Sequence, residues 1–118
     1  MKRALIISGA LAQDHEFIYP YYRLLEANSK LDVCLIGGKP VHGILGTQLP
    51  PNKNHPVKDI DKIKVADYDL LVLPGGVKAM EKIRQDKRLI NFITEFHKAD
   101  KVIACICSGA QLLISAKI

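Results

Sequence analysis

One cysteine lies where a buried strand is predicted to turn sharply into a helix, which is the position of the nucleophile in many α/β enzymes. Residues 102–111 are Val-Ile-Ala-Cys-Ile-Cys-Ser-Gly-Ala-Gln, and Cys107 falls at the turn. A nucleophile in such a turn has strained backbone geometry, which is tolerated only if the residues two positions away are small. Cys105 and Gly109 meet that need. We therefore predict an exposed, reactive Cys107 thiol and a Cys105 that belongs to the core.

The start of a helix also favours the reactive form of a thiol. Unpaired backbone N–H groups and the helix dipole stabilise a negative charge there, and the thiolate is the nucleophilic form of cysteine. A cysteine at this position is suited to attack the carbon of a carbonyl or acyl group. Cys107 is therefore the first candidate for chemistry in this chain.

The rest of the sequence alternates short apolar runs with amphipathic runs, which predicts a parallel sheet covered by helices on both faces. Runs rich in Val, Ile, Leu and Ala predict four buried strands, at residues 3–8, 32–36, 69–73 and 101–105. Apolar residues at helical spacing predict helices at about 15–28, 59–65, 77–85, 87–98 and 109–118. Glycines within 37–51 predict a small hairpin. The pattern indicates one α/β domain.

Composition excludes several classes of function. The chain has 118 residues, of which 48% are hydrophobic and 25% charged, as in a globular domain. The net charge of +5 includes a basic segment at residues 78–88, but acidic residues interrupt it and no aromatic residues alternate with it. We expect a solvated helix face there and no nucleic-acid partner. The apolar runs are too short to cross a membrane.

The cysteine count indicates a reducing compartment. Three cysteines are an odd number without a disulfide framework, so we expect free thiols and a cytoplasmic protein. The cysteines do not form a cluster with histidines, so no metal site is expected. The first strand ends in Ser8-Gly9-Ala10-Leu11, which lacks the glycine repeat of a phosphate-binding loop. We accordingly expect no cofactor and a small-molecule substrate.

Three motifs in the same order resemble the ThiJ/PfpI superfamily. They are the elbow around Cys107, the turn Leu73-Pro74-Gly75-Gly76, and the segment Glu16-Phe17-Ile18-Tyr19-Pro20. Order and spacing match along all 118 residues. Members of this superfamily include intracellular proteases, glyoxalase- and deglycase-like enzymes and an oxidation-sensing protein. The resemblance implies a flavodoxin-like three-layer αβα sandwich with a mostly parallel sheet, and it implies homo-oligomers.

The resemblance also implies roles for individual residues. Glu16 should approach the sulfur of Cys107, as the early glutamate of the family does, and a protonated Glu16 could donate a hydrogen bond to the thiolate. Backbone N–H groups of Gly76 and Ser108 should stabilise an oxyanion, with Gly75 at the substrate beside them. His15, next to Glu16, is the histidine with the most direct route to this site.

This sequence departs from the protease-type members at one position. Those members carry a histidine directly after the nucleophile, where this chain has Ser108. This departure argues against peptidase activity, while an enzyme of intracellular protease-like type stays among the alternatives. Other members take a histidine from the region after the elbow helix, and His42, His55 and His97 lie elsewhere in the sequence. No Cys–His pair can be assigned.

Four interpretations remain open. The first is a thiol enzyme of hydrolase, glyoxalase or deglycase type, in which Cys107 attacks small carbonyl or acyl compounds and Glu16 transfers the proton. The second is a redox-sensing stress protein in which Cys107 is oxidised to a sulfinic acid. The third is a fragment similar to glutamine amidotransferases, because residues 106–111 also resemble the nucleophile motif of that family. The fourth is an inactive remnant that is stable only when paired with another chain.

The carboxyl end carries one further expectation. Residues 111–118 predict a helix without a glycine cap, a proline stop or a polar tail. We therefore expect residues 1–118 to form a single ThiJ/PfpI-like domain that is incomplete at its carboxyl terminus.

Overall fold

A computed structural model describes residues 2–118 of the chain. Its main sheet has five parallel strands, which are β1 (Arg3–Ser8), β2 (Lys30–Leu35), β5 (Val57–Lys58), β6 (Leu70–Leu73) and β7 (Val102–Cys105). A separate antiparallel hairpin is formed by β3 (Val41–His42) and β4 (Gln48–Leu49). The four predicted strands and the hairpin are confirmed in position, but the prediction that β7 is a buried strand is wrong, because it lies at the edge of the sheet and none of its residues is fully buried. β5 was missed because two residues after a proline-rich loop leave no periodicity to detect.

Three helices connect these strands, and they are α1 (Asp14–Glu26), α2 (Val77–Ile83) and α3 (Lys87–Lys98), while α4 (Gln111–Ser115) follows β7. The helix expected near 59–65 is wrong in type, because that segment forms two 3-10 turns, Ile60–Lys62 and Val65–Asp67. The helix expected at 109–118 is preceded by a 3-10 turn, Cys107–Ala110, and ends at Ser115. No helix among residues 2–118 is long and apolar enough to span a membrane.

Strand order explains how helices cover both faces of the sheet. The order is β5-β2-β1-β6-β7, so the chain moves to one side of β1 through α1 and to the other side after β6 through α2 and α3. Right-handed crossovers in opposite directions place α1 and α2–α3 on opposite faces. The predicted α/β sandwich with a parallel sheet is confirmed.

Apolar side chains fill the space between the layers. Leu5, Ile6 and Ile7 of β1 are fully buried, as a central strand covered on both faces requires. From the helices, Phe17 and Phe96 are also fully buried. β7 is an edge strand and differs, since Val102 is 64% exposed.

The topology determines where a site can form. β1 and β6 are neighbours in space, but the chain leaves β1 toward β2 on the other side. In open parallel sheets, the crevice beyond the carboxyl ends of strands at such a reversal is the usual ligand site. The residues after β1, β6 and β7 meet at this crevice.

Candidate active site

Cys107 lies one residue beyond the end of β7, after Ile106, in a strained backbone conformation. Its φ angle is +52°, in the left-handed region that a non-glycine residue rarely adopts. Of the three cysteines, Cys107 is exposed, Cys105 is half-buried and Cys34 is buried. The strain and the exposure together are those of a nucleophile elbow.

The elbow is fixed by the backbone around it. The Ile106 N–H donates to the Leu73 carbonyl at 3.1 Å, and the Gly109 N–H donates to the Ile106 carbonyl at 2.9 Å. A β-carbon on Gly109 would overlap the Leu73 carbonyl oxygen, so the turn can approach β6 only if residue 109 has no side chain. This contact is the structural reason for a small residue two positions after Cys107.

A cleft of about 400 Å³ opens beside the Cys107 thiol. It collects residues from the loop after β1, the first turn of α1, the hairpin, the start of α2 and the elbow. The lining residues are Leu11, Gln13, Glu16, Ile44, Gly76, Val77, Lys78, Cys107 and Ser108. Four residues singled out from the sequence, Glu16, Gly76, Cys107 and Ser108, therefore share one cleft.

Glu16 reaches the cleft from the first turn of α1. Gln13 caps this helix, since its carbonyl accepts the Glu16 N–H at 3.1 Å and its own N–H donates to the Gly75 carbonyl at 3.1 Å. The cap thus ties the start of α1 to the turn after β6. The Glu16 Oε1 atom is buried and has no hydrogen-bond partner among residues 2–118.

The glycine turn after β6 brings its backbone close to both neighbours. Gly76 has a φ angle of +120°, and a β-carbon there would lie 2.6 Å from the Gln13 nitrogen. Its N–H donates to the Ser108 hydroxyl oxygen at 2.8 Å. An oxygen of a substrate would have to displace this hydroxyl to receive the Gly76 N–H. The sequence had indicated a role only for the backbone N–H of Ser108, so the hydroxyl contact was not predicted.

The family model of DJ-1/PfpI matches residues 2–118. The chain belongs to the DJ-1/PfpI family. This confirms the resemblance that was carried by the Cys107 elbow, the Gly75-Gly76 turn and the segment that begins at Glu16.

Curated relatives in the DJ-1/PfpI family include proteins named as deglycases. One from Pyrococcus horikoshii is 30% identical over 114 residues, which are 97% of this chain and 65% of the relative. General stress protein 18 of Bacillus subtilis is 32% identical over 118 residues, covering 98% of this chain and 65% of that protein. An uncharacterised protein of Archaeoglobus fulgidus is 36% identical over 97% of this chain and 64% of its own length. The chain thus spans just under two thirds of these relatives.

Solved DJ-1/PfpI structures share the fold. A two-domain protein of Anabaena variabilis, with a DJ-1/ThiJ/PfpI-like and a ferritin-like domain, has a TM-score of 0.85 at 26% identity, covering 98% of this chain and 32% of that one. Drosophila melanogaster DJ-1beta has a TM-score of 0.86 at 24% identity, covering 99% of this chain and 61% of that one. Because the identity to Drosophila DJ-1beta is only 24%, that similarity shows the fold alone.

The histidines of this DJ-1/PfpI chain lie outside the cleft lining. His15 lines a separate groove on α1 with Ile18, Tyr19 and Tyr22. The side chain of His55 has a structural contact at each nitrogen, 2.7 Å from the Tyr21 hydroxyl and 2.9 Å from the Leu31 carbonyl. Within the described residues, no three His, Cys, Asp or Glu side chains are grouped as metal ligands would be.

The thiols of the two other cysteines, Cys34 and Cys105, have raised pKa values because they are buried or half-buried. Burial raises the pKa of the Cys34 thiol to about 12, and the nearby Asp59 and Asp86 carboxylates add to this. Burial also raises the pKa of Cys105. Both thiols therefore stay protonated at neutral pH, where the protonated form is a poor nucleophile.

Several residues of the cleft wall were missed from the sequence. Leu11, Ile44 and Val77 give the wall its apolar character, and Lys78 adds one positive charge. Each belongs to a loop or a helix start, where hydrophobic periodicity carries no information about neighbours. The one available signal was the glycine-rich hairpin, which brings Ile44 across to the loop after β1.

Proposed function

We propose that this chain carries the catalytic centre of a cysteine-dependent enzyme of deglycase or hydrolase type that acts on small carbonyl or acyl compounds. The observation that supports this most strongly is the arrangement of two residues. The exposed Cys107 has a left-handed backbone, and it shares its cleft with Glu16, whose Oε1 atom has no partner in the described part of the chain.

The proposed first step is an addition to a carbonyl. The Glu16 carboxylate takes the proton of the Cys107 thiol, and the sulfur attacks the carbonyl carbon. A carbon–sulfur bond forms while the π bond of the carbonyl breaks, so that its electrons move to the oxygen. Glu16 then returns the proton to this oxygen. If the substrate is an aldehyde, the product of this step is a hemithioacetal. If the substrate is an acyl compound, the product is a tetrahedral intermediate.

Backbone N–H groups would stabilise the negative oxygen of this intermediate. The Gly76 N–H already points toward the elbow, where it meets the Ser108 hydroxyl at 2.8 Å. A substrate oxygen that replaces this hydroxyl would gain a preorganised donor, and such a donor contributes about two to three powers of ten in rate. The N–H groups of Cys107 and Ser108 are further candidates for this role. They are the first two of the turn that begins at Cys107, and the first N–H groups of a helical turn have no partner within it.

The relatives favour the deglycase version of this chemistry. Proteins named as deglycases cover 97% of this chain. The chain spans only 65% of the length of such a relative. Deglycase activity of this chain is therefore a proposal that the names of the relatives support.

Turnover of small dicarbonyls tests the proposal. Methylglyoxal and its adduct with a free amino acid would be supplied to the purified chain, and loss of the carbonyl compound and release of the amine would be followed. Cys107→Ser is expected to lower kcat/KM at least about a thousandfold, as removal of a nucleophile does. Glu16→Gln is expected to lower it about a hundredfold, as loss of a general acid–base does. Cys105→Ser, the matched control, is expected to keep the wild-type rate.

A redox function is the second candidate. The Bacillus subtilis relative is named a general stress protein, and an exposed Cys107 beside Glu16 also suits oxidation. Two equivalents of hydrogen peroxide would convert the thiol to a sulfinic acid and be reduced to water. Stable sulfinic acid at Cys107 without any turnover would favour this function. Turnover that is lost in Cys107→Ser would favour the enzyme.

A further inference from the structure

The loop of the β3–β4 hairpin forms one wall of the Cys107 cleft. We call residues 43–47 the hairpin tip. Ile44, in this tip, lines the cleft on the apolar side that also contains Leu11 and Val77. It is 51% exposed, so its side chain is not part of the core and faces a space that a ligand can enter. The neighbouring Leu45 is 66% exposed and does not line the cleft.

A single buried carboxylate fixes the hairpin tip. Asp14, which is 1% exposed, accepts the Leu45 N–H at Oδ1 at 2.9 Å and the Thr47 N–H at Oδ2 at 3.0 Å. Gly43 leaves room for this carboxylate, because a β-carbon at residue 43 would overlap the Asp14 side chain. Each carboxylate oxygen therefore has its own donor in the tip.

Two backbone hydrogen bonds tie the same tip to the loop after β1. The Ile44 N–H donates to the Ala12 carbonyl at 2.9 Å, and the Leu11 N–H donates to the His42 carbonyl at 2.9 Å. They determine how far Ile44 extends over the cleft. Asp14 lies two residues before Glu16 on the first turn of α1, so one helix end carries both the proposed proton carrier and the anchor of the hairpin.

The charge of Asp14 strengthens this anchor. Burial alone would raise the pKa of the Asp14 carboxyl, but the hydrogen bonds from Leu45 and Thr47 outweigh it and hold the pKa below its usual value. The group is therefore ionised at neutral pH. Hydrogen bonds to an ionised acceptor are about twice as strong as neutral ones.

We infer that Asp14 is a positioning residue and Ile44 a specificity-determining residue of this site. The Asp14 carboxylate holds the hairpin tip so that Ile44 forms, with Leu11 and Val77, an apolar wall of the Cys107 cleft. The wall favours compounds that carry an apolar group beside the carbon attacked by the thiol. For substrates, this inference rests on the proposed function, whereas the selectivity of Cys107 toward alkylating reagents can be measured without any turnover.

Two alkylating reagents of the same chemistry test the wall. The rate constants of Cys107 with N-benzyl-iodoacetamide and with iodoacetamide are measured on the native chain by peptide mass spectrometry, and their ratio gives the apolar selectivity. Ile44→Ser is expected to lower the ratio about three- to tenfold, because the benzyl group loses an apolar contact. Leu45→Ser is the matched control, since it keeps the N–H that bonds Asp14, and its ratio should equal that of the wild type.

Two variants test the anchor by independent routes. Asp14→Asn keeps the shape but places an amide N–H₂ group against one of the two N–H donors. Gly43→Ala keeps the carboxylate but forces the tip away from it. Both should lower the selectivity ratio in the same direction as Ile44→Ser and accelerate amide hydrogen exchange at Leu45 and Thr47, while circular dichroism shows a folded chain. An unchanged ratio in folded Asp14→Asn or Gly43→Ala would overturn the positioning role.

The outcome for Ile44 is separate from the outcome for the enzyme. A ratio in Ile44→Ser equal to that of the wild type would overturn the specificity role, whatever the turnover assay shows. Conversely, absence of turnover together with a lowered ratio would refute the proposed function and leave the apolar wall in place.

Discussion

The Glu16 Oε1 atom packs against Gly75 and occupies the space that a β-carbon at residue 75 would need. The same atom is buried and has no hydrogen-bond partner in the part of the chain that the structure describes. A buried carboxylate oxygen without a partner costs free energy, and a catalytic role is one of the reasons for which a protein retains such a group. The glycine turn therefore provides the space in which Glu16 reaches the elbow.

Gly75→Ala tests this contact. The added methyl group would overlap Glu16 Oε1 and lie 2.9 Å from the Ile106 carbonyl oxygen, so the glutamate and the elbow must both move. We expect a loss of about 1–3 kcal/mol in the free energy of unfolding, as for other overpacked sites. We also expect slower alkylation of Cys107. Gly9→Ala is the control, because its methyl group would meet Ile83 only at an ordinary 3.4 Å. Equal effects of the two variants would contradict the packing argument.

Ser108→Ala tests the hydrogen bond between the elbow and the glycine turn. The variant removes the acceptor of the Gly76 N–H, which should lower the free energy of unfolding by about 1 kcal/mol in urea titrations. The freed N–H stays available to a substrate oxygen, so the alkylation rate of Cys107 should be retained. Ser115→Ala in α4 serves as the control and should not lower stability. A large loss of Cys107 reactivity in Ser108→Ala would show that the hydroxyl itself supports the thiol.

Lys101→Met tests how the start of β7 is held beside β6. The Lys101 ammonium group donates to the Val65 carbonyl at 2.6 Å and to the Tyr68 carbonyl at 2.7 Å, and it lies 5.6 Å from the centre of the Phe96 ring. We expect the variant to lose about 2–3 kcal/mol of unfolding free energy, since hydrogen bonds from charged groups are among the stronger ones. Lys39→Met, at an exposed loop position, should change stability little. Equal stability of the two variants would exclude a structural role for the ammonium group.

Alkaline pH tests the burial of Cys34. Its pKa is raised to about 12 in the folded chain from an ordinary value of 9.0, so the folded state holds the proton more tightly than the unfolded state. The corresponding stability is complete below pH 9.0 and is lost as the pH rises toward about 12. Between pH 8 and pH 10.5 the wild type should lose about 2 kcal/mol more unfolding free energy than Cys34→Ala. Parallel pH profiles of the two proteins would show that the thiol is hydrated.

Elements with a strong periodic pattern could be predicted from the sequence. The buried strand Arg3–Ser8 and the helix Lys87–Lys98 have continuous or helical apolar patterns, and the structure places both within a residue of the expected bounds. The two-residue strand Val57–Lys58 has no such pattern, because its pairing with β2 depends on the tertiary fold. The 3-10 turns between residues 60 and 67 could likewise not be predicted, because each has only three residues and is too short to show a helical period.

The site was predictable where a residue type is required by backbone geometry. The Cys107 turn and the glycines after β6 could be identified because few residues tolerate those conformations. The hydroxyl contact of Ser108 and the carboxylate contacts of Asp14 could not, since they join residues more than 30 positions apart. Long-range contacts of this kind leave no trace in the local sequence.

The proposed function depends on Cys107 being the reactive thiol of this chain. The most direct test is the rate of iodoacetamide alkylation at each cysteine of the native protein at neutral pH, measured by peptide mass spectrometry on the wild type and on Glu16→Gln. Cys107 is expected to react at least about tenfold faster than Cys105 and Cys34, whose thiols are protonated, and Glu16→Gln is expected to lower the rate at Cys107 alone. Equal rates at Cys105 and Cys107, or a Cys107 rate that is the same in both proteins, would contradict this expectation.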